Sequence, residues 1–278
     1  MIRTMSLLDK LEFQLRRTLK TPDADQVHDL RVATRRFSQA LVVFESSFRG
    51  AKSIRRELKT VMGYAGDVRD FDIALKFLTK GSEDVDPAIA EKIARKRGKS
   101  ETKLTRALQR IVSRKAFVKW RAKLASPKEI ETGEHPAIAV LHAVERFFER
   151  GDRACSSDSP KRLHRLRIAT KKLRYTLELE GRPAAQVRKH GPIEQLQSDL
   201  GHIHDFDSVR ELLSKYRGVK ELLDPAEKKQ RIRIDEFRAL WKKEFDGKAN
   251  RGRWLQRAKL VEKAIAPPKV QVVTKATG

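Results

Sequence analysis

The chain writes one stretch of sequence twice. Residues 27–41 read VHDLRVATRRFSQAL, and residues 163–179, an offset of 136, read LHRLRIATKKLRYTLEL. His28, Leu30, Arg31, Ala33 and Thr34 align with His164, Leu166, Arg167, Ala169 and Thr170. Val32 matches Ile168, and Arg35-Arg36 matches Lys171-Lys172. A second pair follows in the same order. Gly66-Asp67-Val68-Arg69-Asp70-Phe71-Asp72 aligns with Gly201-His202-Ile203-His204-Asp205-Phe206-Asp207 at an offset of 135. Two motifs recurring in one order predict a multi-helix unit used twice, because self-similarity marks a repeated supersecondary unit.

The spacing within the repeat is helical. Leu30, Ala33, Phe37, Leu41 and Phe44 form one apolar stripe. Alternating β-branched runs are absent apart from a terminal VQVV. Breaks are expected near TPDAD (21–25), FRGAKS (48–53), KGSEDVDPA (80–88), SPKEIETGEHP (126–136), CSSDSP (155–160), GRPAA (181–185), KHGP (189–192) and LDPAE (223–227). The segments between them suit antiparallel helices in a bundle. The expectation is an all-α fold, two pseudo-twofold-related helical bundles from an internal duplication, packed as one unit. The halves are 1–130 and 131–265, and residues 266–278 are expected to be a flexible tail. A chain of 278 residues has enough length to bury a sizeable core.

Charge narrows the partners. Lys and Arg number 62 against 37 Asp and Glu, a formal charge of +25. That excess attracts polyanions such as nucleic acid, phosphate polymers or anionic membranes. The one cysteine, Cys155, excludes a disulfide within the chain and fits a reducing compartment. The N-terminal MIRTMSLLDKLEFQLRR is amphipathic, so no signal peptide is expected. No apolar run is long enough to span a bilayer. A cytoplasmic protein without a membrane partner is the expectation.

On a helix, His28, Arg31 and Arg35 share one strip, and Leu30 points away from it. The second copy repeats the strip with His164, Arg167 and Lys171, and Arg174 extends it. Guanidinium groups bind phosphate oxygens through paired N–H donors, and a lysine adds a compact charge. Stacked like charges destabilise a helix, and no glutamate is interspersed to relieve them, which points to a site over a merely wet face. Near phosphates the cationic imidazole is favoured, while in an empty arginine-rich site it is disfavoured, so protonation would be coupled to anion binding.

The second motif contributes Arg69 and His204 at matched positions. Asp70 and Asp205 either orient neighbouring basic groups or stand idle at the surface. Gly66 and Gly201 in mid-helix each cost about 1 kcal/mol against alanine, which suggests close packing or a local break. Residues 95–128 hold thirteen Lys or Arg against Glu101 alone, a solvated face or a widening of a polyanion surface.

The histidine-led basic helix, its repetition and the following G-x-x-[RH]-D-F-D segment together resemble the CHAD family, the conserved histidine α-helical domain, over about residues 5–262. The resemblance implies two helical bundles whose basic residues line a central groove or pore. It also implies binding of inorganic polyphosphate, and for some members association with polyphosphate granules. The residues it points to are His28, Arg31, Arg35, Arg36, Arg69, His164, Arg167, Lys171, Lys172, Arg174 and His204. Ser38 departs from the second copy's Arg174, which implies a weaker grip in the first half.

Other functions fit the residues less well. Nucleic-acid binding rests on charge alone, because aromatics are 6% of the chain and the phenylalanines fall mainly at core spacing. A metallohydrolase would need clustered His and carboxylate ligands, and His202 and His204 do not share a helical face. Cys155 lies in a polar linker without a nearby histidine. No Gly-rich phosphate loop accompanies the histidines. The expectation is a binding protein with no catalytic residues, no metal and no cofactor.

Overall fold

The computed structural model describes residues 2–80, 86–126, 136–180 and 191–265. These form helices α1 (Ile2–Lys20), α2 (Ala24–Val43), α3 (Ala51–Lys80), α4 (Pro87–Ser113) and α5 (Ala116–Ala125). After residues 127–135 come α6 (Pro136–Cys155), α7 (Pro160–Leu177), α8 (Gly191–Leu213), α9 (Lys220–Glu244) and α10 (Gly247–Ile265). The all-α reading is correct. The expected tail, 266–278, and the boundary expected between residues 130 and 131 lie outside the described residues.

Local chemistry starts the key helices. Asp23 is extended and its carboxylate accepts from the Gln26 amide, capping α2. Asp86 caps α4 in the same way with Pro87 in its first turn, and Pro160 opens α7. The expected break at LDPAE does not occur. Pro225 sits inside α9, which begins at Lys220. Only one backbone bond near the helix start is lost there, so the helix tolerates the ring. Conversely, the α4–α5 corner at Lys115, with φ 52°, and the glycine turns at Gly218 (φ 78°) and Gly247 (φ 82°) are not among the expected breaks.

Four apolar clusters hold the helices. One lies wholly within residues 8–124 and includes Leu11, Leu30, Phe37, Leu58, Leu108 and Trp120. Another lies within residues 140–258 and centres on Phe147, Leu166, Leu173, Phe237, Trp241 and Phe245. The remaining two clusters join these units. Ala74 and Leu78 of α3 and Ile93 of α4 pack with Phe206, Leu213 and Leu223 from α8 and α9. Ala40 and Val43 of α2 pack with Leu179. Phe71 and Phe206, expected in the core, both belong to the former joint.

Helices α2 and α7 pack against each other. Gln39 Nε2 donates to Thr176 Oγ1 at 2.9 Å, and Arg36 Nε donates to Glu178 Oε2 at 2.8 Å. The partner numbers run in opposite senses, a later residue of α2 meeting an earlier one of the second copy, so the two segments meet in antiparallel sense at these contacts.

Candidate functional site

Within the first unit α2 and α3 are antiparallel. The Arg31 Nη1 atom lies 3.1 Å from where a Cβ on Gly66 would stand, and Arg69 faces His28 closely enough to oppose its protonation. Gly66 therefore lies in a close approach, where an added Cβ would make the Arg31 guanidinium give by a few tenths of an ångström. Gly201 does not, because a Cβ there would meet nothing within 4 Å.

In the second unit α7 meets α8 through the equivalent positions. His164 Nδ1 and His204 Nδ1 are 3.4 Å apart, and the ring centroids are 4.9 Å apart. The pair His28–Arg69 in one unit thus corresponds to His164–His204 in the other.

The rows converge between the two joints. Arg31 and Arg35 on α2 lie close enough to Arg167 and Lys171 on α7 to shift their proton affinities. Burial, then Arg35, lowers the Arg31 guanidinium to about 10. Burial, then Arg167, Arg35 and Arg31, brings the Lys171 ammonium down to about 6. Burial, then Arg167, His164 and Lys171, holds His204 at about 3. His28 and His164 keep part of their surface in solvent, yet burial and the neighbouring cations lower both. Desolvation and like charge act together here, and both disfavour the protonated forms.

The cluster carries little compensation. Among the described residues, Arg31, Arg35, Arg69, Arg167 and Lys171 form no salt bridge, and the buried Arg167 Nε has no hydrogen-bond partner. Several arginines elsewhere are paired, as in Arg97 with Asp72 at 2.5 Å and Arg121 with Asp9 and Glu12, both at 2.7 Å. Asp70 and Asp205 lie near each other across the units beside Arg31 and Arg167, and Asp29, Asp67 and Asp207 lie near the same cluster. Burial raises Asp70, and Arg31 partly opposes that shift. Asp70 and Asp205 are both part-buried beside the cations, and among the described residues neither forms a salt bridge with them. An anion entering this space would meet donors that nothing else satisfies.

Three expected residues stand elsewhere. Arg36 is tied to Glu178, and Arg174 shares that carboxylate at 3.1 Å while its Nε donates to Gln197 at 2.7 Å. Both guanidiniums are consumed in closing the α2–α7 pair. The Ser38–Arg174 difference therefore concerns this clasp and leaves the basic cluster untouched. Lys172 points to a different cleft, beside Arg146 and Arg55. The remaining eight, His28, Arg31, Arg35, Arg69, His164, Arg167, Lys171 and His204, are brought together.

The third position of the second motif proves structural. Asp72 accepts from Arg97 of α4, and Asp207 accepts from Gln230 of α9 at 2.8 Å, so each DFD segment ties its helix to the next. Sequence reasoning assigns neither aspartate; their identical place in both copies is the available signal. Cys155 is half-buried and its thiol is pushed up to about 12 by desolvation and Asp152, far from a reactive thiolate. Among the described residues no group of His, Cys, Asp or Glu could hold a metal ion. No helix among them is long and apolar enough to cross a membrane.

Comparisons with known proteins agree with this architecture. The structure superposes on the crystal structure of the CHAD domain from the plant Ricinus communis with a TM-score of 0.56 at 19% identity, covering 85% of this chain and 88% of that one. It superposes on PptA from Streptomyces chartreusis with a TM-score of 0.61 at 15% identity, covering 86% and 95%. At such identities the likeness speaks for the fold. Comparison with curated protein sequences finds no match. The profile of the CHAD domain matches residues 4–214, ending just after α8, whereas the motifs alone had suggested about 5–262. With that profile matched over most of its length, the chain belongs to the CHAD family.

Proposed function

We propose that this protein binds inorganic polyphosphate between α2, α3, α7 and α8, with His28, Arg31, Arg35, Arg69, His164, Arg167, Lys171 and His204 as the binding residues, and that it does so without catalysis, metal or cofactor. The observation that carries the reading is a half-buried cluster of basic side chains without salt-bridge partners, set between two apolar joints. The arginines would take phosphate oxygens by charge-assisted pairs, and Arg167 Nε is a donor awaiting an acceptor. Lys171 and the histidines would gain protons as negative charge arrives, adding donors as the site fills. Two pseudo-equivalent rows would let successive phosphates of one chain meet cations from both units. The family's association with polyphosphate supports this choice of anion, as it does a cytoplasmic location at polyphosphate granules.

Nucleic acid is the alternative polyanion, and the charge of +25 favours it in general terms. The binding residues include no Phe, Tyr or Trp on which a base could stack. Competition decides between them. Long-chain polyphosphate should displace labelled RNA or duplex DNA at physiological salt, and nucleic acid should fail to displace polyphosphate. Affinity should fall steeply with salt through counterion release. Replacing Arg31, Arg35, Arg167 and Lys171 by alanine should abolish binding; retention of tight binding in that variant would falsify the assignment.

A further inference from the structure

A second basic space lies beside α7, away from the histidines. It is a cleft of about 1200 Å³ between the end of α2, the segment 45–50, the start of α3, and helices α6 and α7. Its lining includes an apolar floor of Val42, Val43, Ala139, Ala143 and Ile168. Ile168 is 41% exposed, an unusual state for an isoleucine in mid-helix. One wall carries Arg49, Lys52 and Arg56, and the other carries Arg146, Arg150, Arg165 and Lys172. Among the described residues Glu45 is the one carboxylate of the lining, and Lys52 and Arg55 already hold it at 3.3 and 2.5 Å. Among the described residues the other six cations of the walls form no ion pair. Arg150 and Arg165 continue into an adjoining hollow beside Arg153 and Arg162.

The cleft is separate from the histidine cluster. Arg31, Arg35, Arg167 and Lys171 do not line it. On α7, Arg165, Ile168 and Lys172 face roughly 100° away from His164, Arg167 and Lys171, each following one of them by a single residue.

We propose that this cleft binds a nucleoside oligophosphate, its heterocycle on the Val42–Ile168 floor and its phosphates on Arg146, Arg165 and Lys172. Each half of the lining selects for one half of that ligand. A bare phosphate chain has no apolar part and gains nothing from the floor. A fatty-acid carboxylate brings one charge to six unpaired cations. A nucleoside triphosphate combines a flat, largely apolar ring with several charges at one end. His142 stands in the same lining to meet the polar edge of a base. Arginines supply the bidentate geometry that phosphate oxygens accept. The volume accommodates a ligand of this size with room for water, near the upper end of small-molecule sites at roughly 1,000 Å³.

The test uses the whole chain and a ribose-labelled fluorescent ATP, followed by anisotropy and displaced by unlabelled ATP or inorganic triphosphate. ATP should displace the probe at a concentration at least about tenfold lower than triphosphate, because only ATP uses the floor. The double substitution Arg146→Ala/Arg165→Ala should weaken ATP by about tenfold or more, and long polyphosphate by less than about threefold. Ile168→Asp, at an exposed position, should also weaken ATP while circular dichroism stays unchanged. The variant Arg31→Ala/Lys171→Ala should lose polyphosphate and keep ATP, so failure of the central site and failure of the cleft read out separately. Equal displacement by ATP and triphosphate, or wild-type ATP binding in the Arg146/Arg165 variant, overturns the proposal.

Discussion

His164 and His204 present their Nδ1 atoms to each other at 3.4 Å, from successive helices of the second unit. Only one of the facing nitrogens can carry a proton without setting two N–H donors head to head. Arg167 and Lys171 add to the discouragement, and His204 is held at about 3. The empty site is therefore proton-poor, and an incoming polyanion should reverse that. Calorimetric titration with polyphosphate at pH 7, repeated in buffers of different ionisation enthalpy, should reveal net proton uptake and tighter binding as pH falls. A binding heat independent of buffer would contradict it.

The same groups set the pH dependence of stability without ligand. Lys171 sits at about 6 in the fold against an ordinary 10.5, so between those values the unfolded chain binds the proton and the folded chain does not. Stability then rises with pH across that window, because the unfolded state holds more protons there. His204 adds the same sign between about 3 and its ordinary 6.5. Asp70, raised by burial, acts oppositely on the acid side. The melting temperature of the free protein should climb from pH 6 to 8.5, and saturating polyphosphate should flatten that climb.

Removing a cation from the cluster should have opposite effects on binding and on stability. Arg167→Ala or Lys171→Ala each deletes a charged donor worth about 1.5–3 kcal/mol, so polyphosphate affinity should fall by about tenfold to a hundredfold. The salt slope of binding should shrink by about 0.7–0.9 for each phosphate left without its cation. For Arg167→Ala the melting temperature should rise, since the fold no longer confines an uncompensated charge. Arg36→Ala and Arg174→Ala, in the clasp with Glu178, should instead lower melting temperature with a smaller loss of binding.

The Asp72–Arg97 tie predicts a purely structural variant. Asp72 is 8% exposed at its side chain and Arg97 is 19% exposed, with Glu101 and the Pro22 carbonyl completing the guanidinium's partners. Arg97→Ala would leave the Asp72 carboxylate buried and unpaired, at a cost of about 3 kcal/mol. Urea unfolding should show the midpoint falling, while polyphosphate affinity of the folded protein stays within about twofold. A loss of affinity as large as that of Arg167→Ala would place Arg97 in the site.

Two glycines should respond oppositely to alanine. A Cβ on Gly151 would stand 1.8 Å from the Trp241 ring, where α6 crosses α9, so Gly151→Ala should destabilise by about 1–3 kcal/mol. A Cβ on Gly201 meets nothing within 4 Å, so Gly201→Ala should stabilise α8 by about 0.5–1 kcal/mol. Thermal melts of the two variants decide it.

Gly151 also marks how far periodicity could be read. The stripe Leu30–Ala33–Phe37–Leu41 was legible because a helix face repeats every few residues, and all four residues are buried. The partner that reduces position 151 to glycine, Trp241, is 90 residues away, and no local pattern announces it. The break expected at Pro225 failed for a related reason. A proline near a helix start costs little, and packing of Leu223 into the joint between units keeps the chain helical there.

What the sequence determined by itself was the content of the site: a helix led by His28 and a helix led by His164, each followed by a row of cations on one face, and a following helix bearing Arg69 or His204. Those are local facts, written in spacing and repetition. Tertiary structure alone decided which cations remain unpaired. Arg35 and Arg36 are neighbours in the chain, and so are Lys171 and Lys172, yet about 100° of helix rotation sends one of each pair to the central cluster and the other to Glu178 or a separate cleft. The physical reason is that charge compensation depends on carboxylates brought from distant helices, and only the packed fold places Glu178 beside Arg36 and no carboxylate in salt-bridge contact with Arg167.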